Sequence, residues 1–510
     1  MRTKKAFINI LAGGLGTLLA GLFQFISRFV FIRFLSDEYL GISSLFTNIL
    51  SILSLAELGI GTAICYSLYK PLAGKDNEKI SQIMHFFKRT YELIGCVVLL
   101  LGLLIIPFLP YLIQGETDLV DVRLIFALYV LQSAASYWFW AYKSILLQAD
   151  QKLYINKFLN VCAFMVITIL QLVTLAMFRN FILYCVLGLL IGIVTNVLSA
   201  IVVDKQYPFL KADFRRGIKP LEKEEKKQIF KDVFGMSMFK FNTTVVNSTD
   251  NIVISAFIHV KMVALYGNYQ TVISGISQVV MQLFAGVTAS VGNLETEKDE
   301  EKNEFVFRTL QLLCYWVYSC IGVVLLVLVN PFIQFFFGAE RVFGMELVLL
   351  QILYFVINGF QRTSFIYRDA CGLFWKGKLR PVATALLNIV ISIVLVQYIG
   401  LAGVILGTII SWMLTTFWYD PIMIYKNVFH KSPLRYFLGY LKAAVLCTVA
   451  GFGVYCLYEY VLVGMLGLSG IGLLILTLVL ALVIPNLVFV AGYFYTEELR
   501  YLVGLVKRKR

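Results

Sequence analysis

The sequence predicts an all-α polytopic membrane protein with about 14 transmembrane helices. Of its 510 residues, 59% are hydrophobic and only 15% are charged, and the mean hydropathy is +0.81. A soluble globular domain carries about 25% charged residues. The excess apolar residues fall in repeated blocks of roughly 20 or more, the length that crosses a bilayer as a helix. These observations exclude a water-soluble protein.

The apolar blocks predict the individual helices. Several are longer than about 20 residues, so tilted helices or extensions beyond the bilayer are expected. In chain order, the predicted helices cover about 8–34, 40–68, 89–114, 122–148, 156–178, 182–203, 231–258, 264–292, 306–337, 345–369, 381–398, 402–424, 436–462 and 470–494.

The distribution of basic residues predicts the orientation. An even number of spans places both termini on one side, and every second connection is rich in Lys and Arg. The connections assigned to the outside hold only Arg123, Arg179, Lys261 and Arg341. The positive-inside rule therefore places the N- and C-termini in the cytoplasm. It also accounts for the net charge of +14 without a nucleic-acid partner. Anionic lipid headgroups of the bilayer are the expected partner of these connections.

A long polar connection divides the chain and predicts its lobes. We expect an N-terminal six-helix lobe at 1–203, a cytoplasmic linker at 204–230, a C-terminal six-helix lobe at 231–424, and an additional helix pair with a basic tail at 425–510. Internal repetition is common in transporter folds. A weak repeat is visible here, since Tyr39-Leu40-Gly41 and Leu265-Tyr266-Gly267 both open the second helix of a lobe.

No motif in the sequence predicts an enzyme, a cofactor or a metal site. The nine cysteines are scattered through apolar segments without a CxxC pair, and the three histidines lie far apart. A phosphate-binding loop of the Walker type is absent, as are the long loops in which a membrane transferase keeps its catalytic groups. The sequence therefore predicts a protein that is not an enzyme.

Polar residues form stripes on the first two helices of each predicted lobe. A lipid-facing surface does not tolerate such a stripe, so it indicates a face toward protein or a water-filled cavity. For helix 2 alone, tight packing through small residues explains the pattern equally well. The stripes contain Gln24 and Arg28 in helix 1, Asn48 and Glu57 in helix 2, Lys240, Asn247, Asp250 and Asn251 in helix 7, and Gln270 and Gln278 in helix 8.

Five charges are predicted within the hydrocarbon: Arg28, Glu57, Lys240, Asp250 and Arg362. Each costs at least about 2.5–3.5 kcal/mol at the centre of an isolated helix. The three cations exceed the two acids, so one cation requires an anion, for which phosphate or pyrophosphate suits an arginine. Lys143 is a fourth candidate cation.

The acidic members of this set have a second interpretation. Either Asp250 or Glu57 is a candidate to couple transport to protons or sodium. In the alternative, all five charges pair internally and only lock the helices together.

Three segments resemble bacterial polysaccharide flippases of the multidrug/oligosaccharidyl-lipid/polysaccharide exporter superfamily. They are FISRFVFIRFLSDEYLG at 25–41, AELGIG at 56–61 and STDNIVI at 248–254. The helix count, the cytoplasmic termini and the central linker extend the resemblance over the whole chain. The resemblance implies two six-helix lobes that alternate between inward- and outward-open states in the bacterial cell (inner) membrane.

The resemblance also implies a cargo and a site. The cargo is an undecaprenyl-pyrophosphate-linked oligosaccharide, moved from the inner to the outer leaflet, with its pyrophosphate in a cationic central cavity. Arg28 and Lys240 match this role, and Arg362 matches it by charge and location. Residues 436–494 are expected to guide the polyprenyl tail, and a polysaccharide polymerase or glycosyltransferases are expected partners. A cation-coupled multidrug exporter and a non-transporting scaffold of an envelope polysaccharide complex are the alternatives.

Overall fold

The computed structural model is helical throughout the residues that it describes. Its only other elements are turns and short 3-10 or π segments. The described residues are 21–57, 60–114, 121–150, 152–210, 220–296, 299–373, 377, 379–465 and 470–508.

Fourteen helical spans, α1–α14, follow one another through this part of the chain, and an amphipathic helix, α15, comes after them. Several spans are interrupted and continue after a short 3-10 or π segment. They are α1 (21–34), α2 (Asp37–Leu53, Ser54–Glu57 and Ile60–Gly74), α3 (Asn77–Ile105 to Leu109–Leu112), α4 (Val122–Trp138 and Ala141–Lys143 with Ser144–Ala149), α5 (Leu153–Phe178), α6 (Phe181–Gln206), α7 (Lys223–Phe257), α8 (Val260–Thr296), α9 (Glu300–Phe337), α10 (Met345–Phe360 and Arg362–Ala370), α11 (Arg380–Ile399), α12 (Leu401–Ile424 with Tyr425–Phe429), α13 (Leu434–Cys456 with Leu457–Met465), α14 (Gly470–Tyr493) and α15 (Glu497–Arg508).

The predicted fold class, a polytopic membrane protein of about 14 helices, is confirmed. Eight of the described helices are long and apolar enough to span a membrane by themselves, and α4 is a ninth if its two parts, bent by 47°, count as one span. The other five are α1, α2, α7, α8 and α10. Four of these five are the helices that carry the predicted polar stripes.

Several helices begin earlier than hydropathy predicts. Helix α3 begins at Asn77 instead of 89, and α9 begins at Glu300 instead of 306. Each start is capped by an aspartate: Asp76 accepts from the backbone N–H of Lys79 at 2.9 Å, and Asp299 accepts from that of Lys302 at 3.0 Å. Hydropathy detects only the part of a helix that lies in lipid, so the polar first turns were missed.

The chain divides into two compact units, residues 1–267 and 268–510. Helix α7 packs against α2 within the first unit, whereas the sequence analysis assigned α7 to the second lobe. The predicted lobes at 1–203 and 231–424 and the added pair at 425–510 stay predictions. The middle of the predicted linker, 211–219, lies outside the described residues.

Each unit has an apolar core that holds its helices in place. In the first unit, Leu68, Met84 and Leu146 are fully buried where α2, α3 and α4 meet. In the second, Phe307 of α9 is fully buried, with its ring centroid 4.9 Å from that of Tyr367 and 5.3 Å from that of Phe429. These cores fix the helices that carry the polar groups described below.

Candidate functional site

The first unit contains a polar cavity of about 810 Å³. It lies between α2, α3 and α4 and reaches α7 through Thr244. Hydroxyl, phenol and amide side chains form most of its wall. The lining residues are Thr47, Leu50, Ser51, Ser54, Glu57, Gly61, Tyr91, Tyr129, Gln132, Ser133, Ser136, Tyr137, Ile145, Gln148 and Thr244. We refer to it as the polar cavity.

Of the described residues that line the polar cavity, Glu57 is the only charged one. Its Oε1 accepts a hydrogen bond from the hydroxyl of Tyr91 at 2.6 Å, and its Oε2 accepts one from Tyr137 at 2.8 Å. The two phenol rings also contact each other edge to face, with centroids 5.6 Å apart. The carboxylate is therefore held in one orientation by groups from α3 and α4.

Sequence reasoning found the α2 side of this cavity and missed the α4 side. Gln132, Ser133, Ser136 and Tyr137 are spaced at i, i+1, i+4 and i+5, which places them on one face of α4. That spacing was visible in the sequence. It was overlooked because helix 4 is not among the first two helices of a predicted lobe.

Arg28 of α1 binds the beginning of α8. Its Nη2 donates to the carbonyl oxygen of Ala264 at 2.7 Å, and the buried carboxyl of Asp37 interacts with it electrostatically. A Cβ on Gly267 would lie 2.5 Å from Nη2, so a side chain at this position would displace the guanidinium. Arg28 does not line the polar cavity.

Further contacts join the ends of α2, α3, α7 and α8, which the predicted topology places on the outer side. The backbone N–H of Gln114 donates to Ser255 O at 3.2 Å, and the Ser255 hydroxyl donates to Leu112 O at 2.7 Å. A Cβ on Gly41 would lie 2.1 Å from Val260 O, so α2 and α8 approach closely there. We call these contacts, together with that of Arg28, the outer clasp.

Arg362 lies in the second unit at a break in α10. The helix stops at Phe360 and resumes at Arg362, and the intervening Gln361 donates to the carbonyl oxygens of Thr416 and Phe417 of α12 at 3.2 and 2.6 Å. The Nε of Arg362 is buried without a partner. Among the described residues, Arg362 has no ion pair or hydrogen bond.

The structure does not support Lys143 as a cavity cation. Its Nζ lies 2.5 Å from Oδ1 of Asp204, and the lysine side chain is only 8% exposed. Asp204 neutralises it, and Lys143 is absent from the lining of the polar cavity. The Lys143–Asp204 pair was not predicted because Asp204, at the end of α6, falls in the predicted linker at 204–230.

The remaining predicted residues are dispersed. Gln24 and Gln278 are exposed, Gln270 is half-buried, and Asn48 donates to the carbonyl oxygen of Ser44 at 2.7 Å. In α7, Asp250 is buried, and Oδ1 of Asn251 is buried without a hydrogen-bond partner. The side chains of Lys240 and Asn247 lie outside the described residues.

The second unit contains an apolar cavity of about 630 Å³. Aliphatic and aromatic side chains of α9, α10, α12 and α13 form most of its wall, which includes Leu326, Ile352, Phe360 and Ala444. The hydroxyl of Tyr440 is buried beside it without a hydrogen-bond partner among the described residues. We refer to it as the apolar cavity.

A family model described as "Polysaccharide biosynthesis protein" matches residues 4–289, more than half of the chain. None of the curated protein sequences gives a significant match.

Solved structures share the fold. One is the lipid II flippase MurJ in an inward closed conformation, with a TM-score of 0.65 and 15% identity over 95% of this chain and 99% of that one. Another is a multidrug resistance MATE family transporter of the MOP superfamily in its inward-facing conformation, with a TM-score of 0.60 and 15% identity over 79% of this chain and 94% of that one. At this identity, the likeness establishes the fold of the chain.

Proposed function

The chain belongs to the polysaccharide biosynthesis protein family, and from that premise we propose that it is a flippase of the bacterial cell membrane. Its cargo is an undecaprenyl-pyrophosphate-linked oligosaccharide, which it moves from the inner to the outer leaflet by alternating access. The fold is that of proteins that include a lipid II flippase, which supports a lipid-linked cargo. The same fold also serves multidrug transporters, so the choice of cargo depends on the site.

The choice of a pyrophosphate-linked cargo rests on the environment of Arg362. A guanidinium remains charged in proteins, and burying one of its nitrogens without a hydrogen-bond partner is costly. An anion that enters the second unit would compensate this cost, and a pyrophosphate offers oxygens that match the guanidinium fork. We therefore assign Arg362 to the pyrophosphate.

Arg28 and Lys240 are assigned to the pyrophosphate on different grounds. Arg28 is bound to Ala264 O at 2.7 Å, so it would reach a pyrophosphate only after the outer clasp opens. This coupling would link the release of the headgroup to the opening of the outer side. Lys240 stays a predicted ligand on the basis of its position in α7.

The apolar cavity fits the polyprenyl chain of the cargo. Helix α13 contributes Tyr440, Ala444 and Phe452 to its wall. This agrees with the expectation that residues 436–494 guide the tail. Moving the polyprenyl tail from the bilayer into this cavity exchanges one apolar surrounding for another. The transfer would therefore cost little free energy.

The experiment replaces Arg362 with Ala in a strain that lacks the chromosomal gene. We expect surface polysaccharide to be lost and lipid-linked oligosaccharide to accumulate on the inner leaflet. The exposed Arg33, replaced by Ala, is the matched control. In purified protein, inorganic pyrophosphate should raise the Tm of the wild type and leave that of Arg362→Ala unchanged. Normal surface polysaccharide in Arg362→Ala at normal expression would contradict the assignment.

One observation favours a cation-coupled multidrug exporter as a second candidate. Among the described residues that line the polar cavity there is one acid, Glu57, and no cation. An exporter of this class would extrude tetraphenylphosphonium from cells, and Glu57→Gln would abolish that efflux. A scaffold, by contrast, would retain its function in both Arg362→Ala and Glu57→Gln.

A further inference from the structure

We propose that α15 lies on the cytoplasmic leaflet and binds anionic phospholipid headgroups through its basic end. This binding surface is separate from both cavities. The argument starts from the position of α15 in the chain, since the span α14 ends at Tyr493 and α15 begins at Glu497. Only residues 494–496 separate the two helices, so α15 starts at the membrane surface. The predicted topology places this end of the chain in the cytoplasm.

The apolar residues of α15 form one stripe along the helix. They recur at i, i+3, i+4 and i+7, which is the spacing of a single helix face. They are Leu499, Leu502, Val503 and Val506. Most of the charged residues fall on the other side of the helix. A helix with this division lies in the plane of a membrane interface, with its apolar stripe toward the acyl chains.

Helix α9 holds α15 in place. Nη1 of Arg308 lies 2.6 Å from Oε1 of Glu498, and both side chains are largely buried. The rings of Phe305 and Tyr501 meet edge to face, with centroids 5.4 Å apart. Leu499, in the same turn as Glu498, is also buried. The first turns of α15 are therefore fixed against the beginning of α9.

Part of the apolar surface around α15 is left uncovered. Val503, one turn after the buried Leu499, is 46% exposed. Phe494 and Tyr495, in the connection from α14, are 59% and 83% exposed. Exposed aromatic residues next to a span are typical of the membrane–water interface. Because this surface is continuous with a span, the bilayer that surrounds the span is the partner that covers it.

The charge of this segment selects anionic headgroups. Residues 497–510 contain five basic and two acidic residues, a net charge of +3. Four of the basic residues are consecutive, at 507–510, and one of the acids, Glu498, is engaged by Arg308. Each Lys or Arg near an anionic membrane surface strengthens binding roughly fivefold. A zwitterionic headgroup has no net charge and gives no comparable gain, so phosphatidylglycerol is preferred over phosphatidylcholine.

The test uses full-length protein in nanodiscs, which leave both membrane faces accessible, with either phosphatidylglycerol or phosphatidylcholine as the lipid. Val503→Cys places a thiol on the uncovered stripe. Gly504→Cys is the matched control, because a Cβ there meets nothing within 4 Å and points about 100° around the helix. We expect a membrane-impermeant maleimide to label Val503→Cys about tenfold more slowly in phosphatidylglycerol. Gly504→Cys should be labelled at similar rates in both lipids, and wild-type protein measures the background from native cysteines.

Two further conditions test whether charge causes the protection. Raising the salt concentration to about 1 M should remove it, because salt screens exposed charges. Lys507→Gln combined with Arg508→Gln should also remove most of it. Lys223→Gln combined with Lys227→Gln neutralises two exposed lysines of α7 and should leave it unchanged.

Each alternative occupant of the stripe gives a different result. Fast labelling of Val503→Cys in both lipids would overturn the proposal, since the stripe would then face water. Protection that is equal in both lipids and unaffected by salt would assign the stripe to a second copy of the chain or to uncharged lipid. None of these measurements involves transport, so a failure here would leave the proposed flippase function untouched.

Discussion

The two cavities of this protein differ in chemistry more than in size. The polar cavity of the first unit measures about 810 Å³ and the apolar cavity of the second about 630 Å³. Hydroxyl, phenol and amide groups line the former, and aliphatic and aromatic groups line the latter. Polar groups in a bilayer are expensive unless they bond to protein, water or a ligand. The contrast means that each cavity suits a different kind of ligand surface, polar in the first unit and apolar in the second.

Arg362 is absent from the lining of both cavities, and its Nε is buried without a hydrogen-bond partner among the described residues. The comparison between the two cavities can be tested with substitutions that alter one cavity and leave the other unchanged.

The largest effect is expected from filling the polar cavity. Ser136→Trp would place an indole in the polar cavity and should lower transport of the lipid-linked cargo by about 100-fold, because the cavity cannot accommodate both the indole and the cargo. Transport in proteoliposomes measures this. Leu131→Trp, on an exposed part of the same helix, is the control and should remain near wild type. Comparable losses in both variants would mean that α4 tolerates no bulk at either face.

A smaller effect is expected from filling the apolar cavity. Ala444→Trp would block the hydrocarbon site and should lower transport of the lipid-linked cargo about tenfold, since the tail can still remain in the bilayer. The adjacent, exposed Val445→Trp is its control. Comparable losses in Ala444→Trp and Val445→Trp would mean that α13 tolerates no added bulk on either face.

The outer clasp tests whether the cavities serve one cycle. Gly41→Ala would place a Cβ 2.1 Å from Val260 O, so α2 and α8 must separate. We expect a destabilisation of the closed outer side by about 1–3 kcal/mol. Labelling of a cysteine at Ser44 by a membrane-impermeant maleimide from outside should increase in this variant. Gly21→Ala, where a Cβ meets nothing within 4 Å, should leave labelling unchanged.

The smallest effect concerns the positioning of Glu57. Tyr91→Phe and Tyr137→Phe each remove one hydrogen bond to the carboxylate and should lower the free energy of unfolding by about 1 kcal/mol. Thermal unfolding in detergent measures it. Tyr111→Phe, an exposed tyrosine of α3, should have no effect. If the double variant loses no more than either single one, the two phenols do not act independently on Glu57.

The sequence by itself predicted the spans and the helices that carry polar faces. A bilayer penalises every polar side chain along a helix, so composition and spacing within one segment are enough to locate the spans and the polar stripes. For that reason, α1, α2, α7 and α8 could be singled out before any coordinates were known. The Glu57 side of the polar cavity was found in the same way.

Only the tertiary structure decided which polar groups meet. Lys143 pairs with Asp204, 61 residues away, and Arg28 reaches Ala264, 236 residues away. Such partners depend on the distance between helices rather than on the pattern within one. Charge counting therefore left the unpaired cation unidentified among several candidates, and the packing of α10 against α9 and α12 determined that Arg362 has no partner in the described part of the chain.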